Sequence, residues 1–133
     1  MCIRDRLKVV LQKVQLTPTL VFDEVDTGIG GAAAAAVGDR LALLSDTTQV
    51  VVITHSPQVA SRGNQHLFIS KNQEGGTTTS AVNELTEEQR IDEISRMLAG
   101  ENHTGESRAA AESLIEEAIN ATTVRQQQQQ QAS

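Results

Sequence analysis

Asp23 and Glu24 stand side by side where a short apolar run, Leu20-Val21-Phe22, breaks off, and Asp26 follows after a single valine. An apolar run that ends in acids reads as a buried strand whose carboxyl end opens into a polar site. In open α/β sheets, ligands bind at that end. Neighbouring carboxylates can divide the labour. Asp23 suits a hard cation such as Mg²⁺, which takes oxygen ligands, and Glu24 suits polarisation of a water as general base. A strand followed by a solvated acidic loop accounts for the same residues, so the acids need a partner elsewhere in the chain.

The candidate partner is His55. Gln49 to Thr54 reads as a second strand, β-branched and apolar enough to be buried on both faces. Between the strands, Gly30-Gly31 leads into an alanine-rich helix from Ala32 to Leu44. Its small side chains serve either a plain buried face or a close approach by another backbone. Strand, helix and strand with short connections form a βαβ unit with a right-handed crossover and parallel strands. Both carboxyl ends then lie on one edge of the sheet, which brings His55 towards Asp23 and Glu24. An imidazole there can donate a hydrogen bond to a phosphate oxygen; a histidine after a strand can equally be structural.

The remaining elements frame this unit. Leu7, Val10, Leu11 and Val14 predict a short helix that Thr17-Pro18 ends. Pro57 starts a helix reaching about Arg62. Gln65–Lys71 predicts a third strand, Asn72–Gly76 a turn, and Thr77–Leu85 a hairpin partner. His66 reads as an exposed strand residue. Thr86-Glu-Glu-Gln89 is a capping box ahead of a stripe of Ile91, Ile94, Met97 and Leu98 that Gly100 closes. A last helix, about Glu106 to Ala121, turns Ala110, Leu114, Ile115 and Ala118 inward. Arg125 and the run Gln126–Gln131 read as a low-complexity, disordered tail.

Composition narrows the class. The 133 residues suffice for one domain with a modest core, and with aromatics at 2% that core is aliphatic. A net charge of -6 argues against a free-standing DNA binder, which needs a basic face. The single cysteine, Cys2, excludes an internal disulfide and fits a reduced, cytoplasmic setting. No apolar run approaches membrane-spanning length, and residues 1–6 lack the apolar core of a signal peptide.

Four blocks together resemble the C-terminal part of the RecN family of SMC-like DNA repair ATPases. They are LVFDEVDTGIGG at 20–31, THSPQVA at 54–60, HLFISK at 66–71 and RIDEISRMLAG at 90–100. The first marks an SMC- or ABC-type head; the second and fourth favour RecN. The likeness runs from about Leu7 to Ala118. It implies that Asp23 is the Walker B aspartate supporting Mg²⁺ and that Glu24 is the catalytic base. It implies that Asp26 is a D-loop aspartate near the partner head's nucleotide and His55 the switch histidine facing the γ-phosphate. ATP and Mg²⁺ are the implied cofactors and a second head of a homodimer the implied partner. DNA is reached through the full assembly, in a bacterial, nucleoid-associated setting without a membrane.

The departures are equally specific. No G-x-x-x-x-G-K-[ST] phosphate loop occurs, and no lysine follows Gly30-Gly31. No LSGGE-like signature precedes residue 7, there is no coiled coil, and residues 1–6 do not fit the family. The expected fold is therefore α/β: the parallel-sheet core of a P-loop ABC-type ATPase head, incomplete because its Walker A strand is absent, with a C-terminal hairpin and helices. Residues 7–121 form this part, 1–6 stand outside it, and 122–133 are the tail. The missing strand predicts a gap beside Val50–Ile53. By itself the chain is expected neither to bind ATP tightly nor to hydrolyse it. A head fragment of another SMC or RecF-type ATPase is one alternative. A non-catalytic α/β interaction module is the other, and it requires that Asp23, Glu24 and His55 do not converge.

Overall fold

The structure, a computed structural model, describes residues 19–102 and 104–132. The helix expected over Leu7–Val14 and the unmatched residues 1–6 lie outside them. In chain order the elements are β1 (Thr19–Asp23), α1 (Gly31–Leu44), β2 (Gln49–Ile53) and α2 (Pro57–Ala60). There follow β3 (Leu67–Glu74), β4 (Thr77–Glu84), α3 (Glu87–Ala99) and α4 (Gly105–Gln131).

β1 and β2 are parallel and in register from Thr19 opposite Gln49 to Asp23 opposite Ile53. Among the described residues β2 pairs with β1 alone, so none of them supplies a strand to its other edge. The faces of this ribbon differ. Leu20, Phe22, Val50 and Val52 are half-buried, whereas Val21, Val51 and Ile53 are 64%, 41% and 44% exposed. The expectation that β2 is buried on both faces fails here, because no described element covers the second face.

The alanine-rich helix is used for close approach. Ala34 and Gly38, one turn apart, are its buried residues. A Cβ on Gly38 would stand 3.3 Å from the Gln58 carbonyl oxygen and from the Val59 Cα. The backbone of α2 therefore rests against α1 at that point, and Arg62 Nε spans the junction to Asp39 Oδ1 at 3.1 Å. Pro57 opens α2 at its first turn, and Val59 is 4% exposed.

β3 and β4 form an antiparallel hairpin closed by Gly75 and Gly76, with φ of +58° and +81°. Two successive left-handed residues are what a two-residue type I′ turn requires. The loop thus shrinks to two glycines, and β3 runs to Glu74 rather than ending before a longer turn. The capping box at the start of α3 is present: Thr86 Oγ1 accepts from the Gln89 N–H at 3.3 Å, and Gln89 Oε1 accepts from the Thr86 N–H at 3.0 Å. In α3, Ile94 and Ser95 are fully buried, Ile91 and Met97 half-buried, and Leu98 sits on the exposed margin.

The core lies where α2, α3 and α4 meet, around Val59, Ile94 and Ala111. Arg90 ties α3 to the end of α2 by donating to the carbonyls of Ala60 (3.0 Å), Ser61 (3.1 Å) and Gly63 (2.5 Å). His66 is half-buried beside Arg90, not exposed, and its Nδ1 has no hydrogen-bond partner. Burial first, and the Arg90 charge second, hold its pKa below the ordinary 6.5.

Two expectations about α4 need correction. The inward face is Ala111, Leu114, Ile115 and Ala118; Ala110 is exposed. The helix also does not stop at Ala121 but continues to Gln131. Glutamine is a good helix former, no Gly or Pro interrupts the run, and extending a nucleated helix is far easier than starting one. Arg125 Nε, 3.2 Å from Asp46 Oδ2, holds this extension to the α1–β2 turn.

Candidate active site

β1 turns sharply after Asp23. Glu24 has φ +51°, a left-handed conformation uncommon outside glycine. Two backbone hydrogen bonds hold it: its N–H donates to the Ile53 carbonyl at 2.9 Å, and its own carbonyl accepts from the Thr27 N–H at 3.2 Å. The first bond continues the β1–β2 ladder by one rung, so Glu24 is delivered to the end of β2. There His55 Nε2 lies 3.0 Å from Glu24 Oε1. Both side chains are open to solvent, 84% for His55 and 53% for Glu24. A pair this exposed contributes at most about 1 kcal/mol to stability, so folding alone gives little reason for the arrangement.

A second contact joins the same two segments. Thr54 Oγ1 donates to Asp26 Oδ2 at 2.5 Å and accepts from the Ser56 N–H at 2.9 Å. Ser56 Oγ in turn donates to Gln58 Oε1 at 3.1 Å. The outcome is a cleft of about 310 Å³ lined by Glu24, Asp26, Thr27, His55 and Ser56. Glu24, Asp26 and His55, three of the four residues singled out in the sequence, converge on it.

Asp23 does not line the cleft. It is the last residue of β1, opposite Ile53, exposed, and on the strand face that carries Val21. It shares the sheet edge with Glu24 but emerges from the uncovered face. Thr54 and Ser56 are the site residues that the sequence motifs did not single out. Hydroxyl residues at strand ends tend to bond to the backbone two positions on, and the Thr-x-Ser spacing around His55 was the available signal.

Among the described residues no group of three or more His, Cys, Asp or Glu side chains could by itself hold a metal ion. The donor set nonetheless fits part of a magnesium site, since Mg²⁺ is commonly held by one or two carboxylates with phosphate oxygens and waters completing the shell. Asp23 offers such a carboxylate. The Gly28–Gly31 loop brings no lysine, so a grip on phosphates has to come from outside this stretch.

No family model matches the chain. Individual proteins do. It is 46% identical over 112 residues to the DNA repair protein RecN of Streptomyces coelicolor, covering 84% of this chain and 20% of the relative. The RecN of Deinococcus radiodurans is 54% identical over 84 residues, covering 63% and 15%. That of Vibrio cholerae is 45% identical over 107 residues, covering 80% and 19%. The chain thus spans about a fifth of the length of the curated relatives it matches. One solved structure, from work on ATP-driven dimerization and DNA-stimulated activation of SMC ATPases, superposes with a TM-score of 0.56 at 20% identity. It covers 74% of this chain and 59% of that one. The chain therefore belongs to the RecN family and has the fold of an incomplete ABC-type ATPase head.

Proposed function

We propose that this stretch supplies the hydrolytic half of an ATP site in a RecN-type DNA double-strand break repair protein. The observation that carries the reading is the 3.0 Å approach of His55 to Glu24 across the ends of two parallel strands. Glu24 is the general base that orients and deprotonates the attacking water. His55 holds Glu24 in the resting site and donates to the γ-phosphate when nucleotide is present. Asp23 would supply a carboxylate to Mg²⁺ from the uncovered side of β1, where the rest of the head would be added, and Asp26 would belong to the D-loop segment that approaches a partner head. Magnesium-bound ATP would bring the phosphoryl group and neutralise the charge that develops on it.

The phosphate grip belongs to the part of the protein that this chain does not contain. The strand-free edge of β2 and the bare face of Val21, Val51 and Ile53 support that view, because they are where further strands and their cover would be added. In the whole protein two heads would close on ATP and couple its hydrolysis to DNA, in the cytoplasm and at the nucleoid. The chain by itself would neither hold ATP tightly nor turn it over.

In a full-length RecN protein carrying this stretch, Glu24→Gln is expected to abolish ATP hydrolysis while ATP binding persists. Turnover by the 133-residue chain alone, lost on the same substitution, would overturn the half-site reading. The alternative of a non-catalytic interaction module required Asp23, Glu24 and His55 not to converge; the contact between Glu24 and His55 weighs against it, while Asp23 stands apart from the cleft as that alternative expected. The 41–54% identity to RecN proteins favours the RecN reading over a head of another SMC or RecF-type protein.

A further inference from the structure

Thr54 is a half-buried threonine between the last residue of β2 and His55. Its one hydroxyl uses both of its hydrogen-bonding capacities. It gives its proton to Asp26 Oδ2, in the loop after β1, at 2.5 Å, and it receives the N–H of Ser56 at 2.9 Å. The first bond joins the two loops that carry the acids and the imidazole. The second fixes the backbone on the far side of His55, so the histidine sits inside a closed local turn. Only a hydroxyl does both, because a hydroxyl donates and accepts at once. A valine of the same shape does neither.

From this geometry we infer that Thr54 is a positioning residue. It sets Asp26 and His55 in one fixed relation, and through His55 it sets the direction of the Glu24 carboxylate. The inference rests on the reading of this rim as a hydrolytic half-site, but its geometric content stands apart from nucleotide. Asp26 thereby acts within its own chain as well: one of its oxygens anchors the loop after β1 to the strand end that presents His55. A displacement of about 1 Å at a reacting group can cost on the order of a hundredfold in rate, so the clamp acts on turnover rather than on affinity for nucleotide.

The test has two arms. In the first, the isotope-labelled 133-residue chain is compared by NMR at one pH as wild type, Thr54→Ser, Thr54→Val and Asp26→Ala, with the Ile94 methyl signals reporting the intact core. In wild type and Thr54→Ser, the His55 ring protons are expected to show nuclear Overhauser contacts to the Glu24 side chain, 3.0 Å away across the two strand ends, and the Ser56 amide to exchange slowly. In Thr54→Val both features should vanish; in Asp26→Ala the His55–Glu24 contacts should vanish while Ser56 stays protected, because the Thr54 hydroxyl still accepts its N–H. If Thr54→Val does not fold, Asp26→Ala carries this arm by removing the same bond from its other end. His55–Glu24 contacts in the folded variants that match wild type overturn the proposal, since a threonine that merely supports the fold would leave the histidine–glutamate pairing unchanged.

In the second arm, Thr54→Val in a full-length RecN protein should lower kcat about ten- to a hundredfold at unchanged KM for ATP, and Thr54→Ser should restore it. Unchanged kcat in Thr54→Val, alongside a Glu24→Gln variant that is inactive, overturns the positioning role and leaves the hydrolytic reading standing. Unchanged turnover in Glu24→Gln itself overturns the hydrolytic reading, and the NMR arm then decides the clamp alone.

Discussion

His55 Nε2 and Glu24 Oε1 meet at 3.0 Å although 31 positions of chain separate the two residues. Two parallel strands of five residues end side by side, and the left-handed turn at Glu24 swings its carboxylate over the neighbouring strand. Because both groups are largely solvated, the contact belongs to chemistry more than to folding. Glu24→Gln and His55→Ala are therefore expected to change the unfolding free energy of the chain by less than about 1 kcal/mol, read by urea denaturation. In a full-length RecN protein the same substitutions should lower ATP turnover by roughly 10²- to 10⁴-fold. A large loss of stability in the chain would reassign the pair to structure.

His66 makes stability depend on pH. Burial and the neighbouring Arg90 depress its folded-state pKa below the ordinary 6.5, partly offset by Glu93. A histidine depressed in the fold binds its proton more readily when unfolded, so stability is complete above about pH 6.5 and declines as pH falls through the folded pKa. Denaturation midpoints should therefore drop between about pH 7 and pH 5, and His66→Gln should flatten that slope. An unchanged slope in the variant would show that other groups cause it.

Arg90 joins the end of α2 to α3 through three carbonyl oxygens. Arg90→Ala strands those acceptors at a partly buried junction and should destabilise the chain by about 2–3 kcal/mol, in line with hydrogen bonds to charged groups. Arg90→Lys should recover part of this, because the three carbonyls converge on a single nitrogen, Nη2, and an ammonium offers three N–H donors from one nitrogen. Urea midpoints of the two variants provide the check.

The bare face of the β1–β2 ribbon offers a comparison between contexts. Val51 is 41% exposed, so Val51→Lys should alter the stability of the isolated chain by no more than about 0.5 kcal/mol. In a full-length RecN protein the same lysine is expected to be strongly destabilising, because the remainder of the head would bury it. Equal, small effects in both contexts would mean that the face stays open in the whole protein.

Arg125 should help to hold the C-terminal extension of α4 in place. Arg125 lies 3.2 Å from Asp46 without hydrogen-bond alignment at its Nε, so the attraction is electrostatic. Arg125→Ala should speed amide hydrogen exchange across residues 119–131 and leave residues 105–118 protected, where Ala111 and Ala118 are buried. Raising the ionic strength should act in the same direction.

The sequence by itself determined the local features. The capping box at Thr86, the proline start of α2, the βαβ order and the placing of Glu24, Asp26 and His55 at the strand ends are all properties of short segments and their spacing. Strand polarity then forces both carboxyl ends to one edge, which is why the meeting of Glu24 and His55 could be expected without coordinates. Tertiary structure decided what depends on neighbours. Which of Ala110 and Ala111 faces inward is a rotation of about 100° per residue that only the packing of α4 settles. His66 looked exposed because strand alternation carries no information about Arg90, which the fold brings in from the following helix. Asp23 and Glu24 were expected to share one site in different roles, but in the fold Glu24 lines the cleft and Asp23 does not. The Thr54 hydroxyl gained its meaning only when the fold set Asp26 at 2.5 Å from it.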